Sequence, residues 1–382
     1  MLTYYNEEYF LSMRNRELLN LNRILSKKSY ELKRSVRILS NITVNQFHEP
    51  LLCAMRLSGI DAKVTFGNYD NIFQDSLTIE SGDVVIIFWE LCNLIPDFHK
   101  RANDLVMTEF DEIIRQAKIN LSTTIKNLAK ASLIVFNEFN SAVFSTSMPN
   151  QENLSRAARL LNEYLFSEVT QVNLIKIDLN SIFNSLSICK CVDLRFYYIG
   201  KALYTFEFFK YYCNEILPFI NAVAGQTKKV LVLDCDNTIW KGILGEDGFD
   251  KIQMSPLTME GAIYQEIQSI ARFLSSKGVI IGLCSKNNLH EVKLVLLNHN
   301  AQVLRYDDIS VVKCNWQDKS SNIASIASEL NIGLDSVVFV DDSSYEIEFV
   351  RQNLPMVEVM KVPENLFEFP IMLRRKARWF WH

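Results

Sequence analysis

Four apolar residues, Val230 to Leu233, follow two lysines and run straight into Asp234, Cys235, Asp236, Asn237 and Thr238. A short continuous apolar run of that kind is the signature of a strand buried on both faces of a parallel sheet. Open α/β sheets bind their ligands just beyond the carboxyl ends of such strands, so the acids stand where chemistry is expected. Two carboxylates one residue apart suit Mg²⁺, a hard cation that takes oxygen ligands and offsets their mutual repulsion.

The same pattern recurs downstream. Val279 to Leu283 reads as a second buried strand and ends in Cys284, Ser285, Lys286 and Asn287; Val337 to Val340 reads as a third and ends in Asp341 and Asp342. Between them lie a helix from Leu289 to Leu297, a short strand at Val303 and Leu304, and the segment Lys313 to Lys319, which opens a helix reaching Leu330. A last strand is expected at Met356 to Val359, and Ser343 with Glu346 has capping-box spacing. Each acidic pair alone is more often a solvated turn; three chemically loaded strand ends in one sheet are not explained that way.

Upstream, strands are expected at Val36 to Leu39, Ala62 to Phe66, Val84 to Trp89, Leu133 to Phe136 and Val172 to Ile177, with helices between them. The expected fold is therefore α/β: two doubly wound, three-layer domains, the first flavodoxin-like and the second Rossmann-like. The 382 residues are 48% apolar, enough for two full cores. The domains are drawn as a leading helical segment 1–34, a first α/β domain 35–225 and a second 226–382, the break falling at Gly225, Gln226 and Thr227.

Ser40 and Asn41 follow the first strand, which invites a serine-hydrolase reading. None of the five histidines lies near the end of that domain, where Asp193, Leu194, Arg195 and Phe196 stand. A serine without a general base is a weak nucleophile, so the first domain is expected to be non-catalytic. A net charge of −4 argues against nucleic acid, and no apolar run approaches the roughly 20 residues of a membrane helix. The eight scattered cysteines suit reduced thiols, and the chain is expected to be cytoplasmic. The tail combines Arg374, Arg375, Lys376 and Arg378 with Trp379, Phe380, Trp381 and His382, either a basic docking patch or a helix end packing its aromatics.

The strand-end residues resemble the haloacid dehalogenase (HAD) superfamily of phosphoryl-transfer enzymes. The resemblance implies that Asp234 is the nucleophile and Asp236 the general acid/base, and that Ser285 binds the phosphoryl group. It implies Mg²⁺ held by Asp234, Asp236 and Asp342 with Asp341, and a lysine that balances the phosphoryl charge. Lys313 and Lys319 both compete for that last role, with Lys319 preferred at a helix start. Thr238, Asn237, Lys286 and Trp240 border the site as substrate-binding candidates.

The longer stretches LDCDNTIWKGILGEDG, LCSKNN, NWQDKSSNI and SVVFVDDS are similar to the FkbH-like branch, with its degenerate SGNH-like N-terminal domain. Lys241 departs from that pattern, where glycine is common. This closer resemblance implies 1,3-bisphosphoglycerate as substrate, removal of phosphate, and loading of a glyceryl group onto an acyl carrier protein. It also raises the question of a relay thiol, for which Cys284 is the candidate and Cys235, facing the other way, is not. The alternatives are a plain phosphatase acting on a small phosphorylated molecule, and a non-catalytic scaffold.

Overall fold

The computed structural model describes residues 5–146 and 152–381. The chain forms two compact units, Met1–Ala224 and Gly225–His382. Each is built on a five-stranded, all-parallel sheet.

In the first unit the strands are β1 (Leu32–Ser40), β2 (Ile60–Phe66), β3 (Val84–Phe88), β4 (Leu133–Asn137) and β5 (Leu174–Ile177), in the order β2-β1-β3-β4-β5. That is the flavodoxin order. Leu39, Val85, Ile87, Ile134 and Phe136 share one core cluster with Phe110, Ile114 and Leu121 of the helix Met107–Asn127. Another cluster is aromatic: Phe47 stacks on Phe209 at 5.2 Å, and Phe88 meets Tyr212 at 4.9 Å. Ser40 donates to the Ile42 carbonyl at 2.7 Å, and Asn41 bonds with Glu90 and Asn93, so both side chains are spent on holding the turn after β1.

In the second unit β6 (Val230–Leu233), β7 (Ile280–Ser285), β8 (Val311–Cys314), β9 (Val337–Asp341) and β10 (Glu358–Lys361) follow the order β10-β9-β6-β7-β8. This is the Rossmann arrangement, in which the strand order reverses between β6 and β9 and ligands enter at that switch point. Alternation along the strands fills two cores. Leu231, Leu233, Ile281, Leu283, Val338 and Val340 join one, whereas Val230, Val232, Cys284, Val337 and Phe339 join the other.

Two expectations of element position differ from the structure. Val303 and Leu304 are not a strand; their backbone N–H groups donate to the side-chain Oε1 of the buried Gln268 at 2.7 and 3.1 Å. A side-chain amide replaces the sheet ladder there. The edge strand is Val311–Cys314 instead, which puts Lys313 in the sheet. The last strand lies slightly later than expected, at Glu358–Lys361.

No helix among the described residues is long and apolar enough to cross a membrane. All eight cysteines are free. In the tail, Trp379 and Phe380 are buried, Arg374 pairs with Glu266 and Lys376 with Glu358, so the docking-patch reading loses two of its cations and two of its aromatics; His382 lies outside the described residues.

Candidate active site

Asp234 is the first residue beyond β6 and Asp341 the last of β9, so the two acids flank the switch point. Carboxylate oxygens of Asp234, Asp341 and Asp342 lie within 4.8 Å of one another. Lys319, the first residue of the helix Lys319–Glu329, enters between two of them. Its Nζ stands 3.0 Å from Asp234 Oδ1 and 2.5 Å from Asp341 Oδ2. Asp318 caps that helix, accepting from Ser321 N at 2.8 Å, and so fixes where Lys319 begins. Lys313 pairs instead with Glu329 at 2.7 Å.

Asp234, Asp341 and Lys319 are all buried. Burial pushes Asp234 up to about 6, with Asp341 adding to the shift and Lys319 and Ser285 opposing it. Asp341 is likewise raised by burial, as is Asp342, to which the charge of Asp234 contributes. Burial would discharge Lys319, yet Asp234 and Asp341 outweigh it and hold the ammonium. Three carboxylates against one ammonium leave two surplus negative charges when all are ionised. Asp234 Oδ1 is buried against the Lys319 ammonium. A hard divalent cation fits that donor set: it takes carboxylate oxygens and cancels their charge.

Asp236 was expected among the metal ligands, but its carboxylate lies outside this cluster. Oδ1 accepts from Trp240 Nε1 at 2.9 Å and from Leu244 N at 3.0 Å, and Oδ2 accepts from Asn287 Nδ2 at 2.8 Å. Asn287, which sequence reasoning passed over, also donates to Ser285 Oγ at 3.1 Å and so ties the loop after β7 to the loop after β6. Its only sequence signal is its place two residues after Ser285.

Trp240, expected to contact substrate, is fully buried: it shares a core cluster with Leu231, Leu233 and Tyr264, and its indole N–H donates to Asp236 Oδ1. Thr238 is also fully buried, its hydroxyl without a partner. Asn237 takes a left-handed φ of 49° and accepts from Gly242 N at 3.0 Å. Gly242, at φ 100°, needs to be glycine, because a Cβ there would stand 2.8 Å from Asp247 Oδ2. Lys241 pairs with Glu260. Lys286 bonds to Glu346 at 2.6 Å.

The relay-thiol candidate is buried. Cys284 belongs to the apolar cluster with Val230, Val232 and Phe339, and burial pushes its thiol far above the ordinary range. A thiol held neutral there is a poor nucleophile. Cys235 is packed into the opposite core and shifted in the same direction by burial.

No protein-family model matches the chain, and no curated protein matches it. Among solved structures, the chain is similar to one described as the N-terminal part of protein BF1531 from Bacteroides fragilis, containing a phosphatase domain complexed with Mg. The two share 23% identity and a TM-score of 0.81, over 94% of this chain and 97% of the other. At that identity the likeness establishes a shared fold, and it extends across both units.

Proposed function

We propose that the second unit is a Mg²⁺-dependent phosphoryl-transfer enzyme of the HAD type, acting on a small phosphorylated molecule with Asp234 as nucleophile. The observation that carries this reading is the group of buried Asp234, Lys319 and Asp341 with half-buried Asp342 at the switch point. The Mg-bound phosphatase domain of similar fold supports it.

Asp234, Asp341 and Asp342 would hold the metal, whose charge offsets the repulsion between a carboxylate and a phosphoryl group. Lys319 supplies a fixed cation for the equatorial oxygens, and Ser285 a hydroxyl beside them. Asp236, aimed by Trp240, Asn287 and the Leu244 N–H, is the acid that would protonate the leaving oxygen and then deprotonate water. The test is phosphate release from p-nitrophenyl phosphate with Mg²⁺. Turnover that disappears in Asp234→Asn is expected; equal turnover in that variant would leave the scaffold reading.

The finer reading is FkbH-like: removal of phosphate from 1,3-bisphosphoglycerate and loading of a glyceryl group on an acyl carrier protein. The segment Trp240 to Gly248 supports it through its resemblance to that branch. With Cys284 buried, the carrier's own pantetheine thiol is the acceptor: it would attack C1 and displace the acyl phosphate as inorganic phosphate, the C3 phosphate being the one passed through Asp234 to water. Incubation with 1,3-bisphosphoglycerate, Mg²⁺ and pantetheinylated carrier should add a glyceryl group to the carrier, read by intact mass. Phosphate release without that gain would reduce the function to hydrolysis.

A further inference from the structure

Ser343 caps the helix Ser344–Asn353, its hydroxyl accepting from Glu346 N at 3.4 Å. In a complete capping box the Glu346 carboxylate would return to the Ser343 N–H. Here that N–H donates to Asp341 Oδ1 at 2.8 Å, and Glu346 reaches away to Lys286 Nζ. Lys286 follows Ser285 at the end of β7, and Glu346 lies five residues past the end of β9. Because β6 runs between β7 and β9, the ion pair ties together the two neighbours of the strand that ends in Asp234. Glu346 is buried, whereas the Lys286 side chain is 38% exposed.

We propose that Glu346 competes with the phosphoryl group for Lys286: the carboxylate holds the lysine at the site in the free protein and gives it up when a phosphoryl anion arrives. The inference rests on the reading above that this site takes a phosphoryl group. An ammonium donates to a phosphoryl oxygen as readily as to a carboxylate, and no geometric fork commits it to one partner. Displaced, Glu346 becomes a buried carboxylate without its cation, a cost subtracted from the affinity of the incoming anion. Glu346 is thus a positioning residue acting through Lys286, with a sign opposite to that of a simple supporting contact.

The sign makes it testable by binding of inorganic phosphate to the full chain with Mg²⁺, measured by calorimetry. Glu346→Gln should bind phosphate about threefold to tenfold tighter than wild type, and Lys286→Gln weaker by a similar factor. In the Lys286→Gln background, adding Glu346→Gln should give no tightening; a general field effect of the lost negative charge would persist there. Glu346→Ala, expected to behave as Glu346→Gln, and the melting temperatures of all variants separate loss of fold from loss of binding. Unchanged or weaker binding by both folded Glu346 variants would overturn the competition while wild-type binding upholds the site. Failure of the wild type to bind phosphate would overturn the functional reading and the competition with it.

Discussion

Lys319 Nζ lies 3.0 Å from Asp234 Oδ1 and 2.5 Å from Asp341 Oδ2, so a single ammonium joins the ends of two adjacent strands. Removing it leaves buried carboxylates facing each other and, in the proposed reaction, would leave the phosphoryl oxygens without their cation. Lys319→Met should lower kcat by at least about 100-fold. Steady-state kinetics on p-nitrophenyl phosphate checks this, with circular dichroism to confirm the fold.

Asp234 makes stability depend on pH in the metal-free protein. Its folded value of about 6 exceeds the ordinary 3.8, so between those values the native state keeps a proton that the unfolded chain has lost. The contribution of this group to stability therefore falls as pH rises through that window and stays lost above it. In chelator, Asp234→Asn should gain melting temperature relative to wild type from about pH 4 to 6. Mg²⁺ should then restore the wild type at neutral pH, because it binds only the native site. A pH-independent difference between the two proteins would remove the assignment.

Trp240→Phe keeps most of the buried ring but deletes the donor to Asp236. If the indole aims the acid, kcat should drop about tenfold with KM little changed. A KM effect at constant kcat would instead return Trp240 to the substrate surface.

Cys284→Ala should cost about 1 to 2 kcal/mol of stability through a small cavity and leave kcat within about twofold. Denaturant unfolding and turnover measure the two parts separately. Loss of turnover in a folded variant would reinstate the thiol.

In the first unit, Glu90 is buried with Oε1 unpartnered, and burial pushes it up to about 7 from 4.5. Charge on this group is disfavoured in the native state, so its contribution to stability declines as pH rises between those values. Glu90→Gln should become more stable than wild type as pH approaches and passes 7, by on the order of 3 kcal/mol at most. Melting temperatures at pH 5 and pH 8 provide the check.

The acids of the site are legible in the sequence because an apolar run fixes a buried parallel strand, and the residue after it then has only one place to be. Asp234, Ser285, Asp341 and Asp342 are found by that logic alone, and Lys319 by its place at an expected helix start, which the structure shows capped by Asp318. What the linear pattern cannot carry is side-chain destination. Trp240 beside Asp236 reads equally as a substrate contact or as core, and only the packing around Leu231 and Tyr264 decides. Glu346 has capping-box spacing, but Asp341 claims the N–H it would need. Val303 and Leu304 look like a strand because their apolar character is real; Gln268, 35 residues away from Val303, satisfies their backbone instead.

The nucleophile is tested most directly by trapping. The full chain is mixed with Mg²⁺ and acetyl phosphate, quenched in acid, reduced with borohydride and mapped by peptide mass spectrometry. An acyl phosphate on Asp234 would be reduced to an alcohol in place of its carboxyl group, and that product is expected at position 234 alone. Phosphate release with an unmodified Asp234, or with the alcohol at Asp236, Asp341 or Asp342, would contradict nucleophilic attack by Asp234.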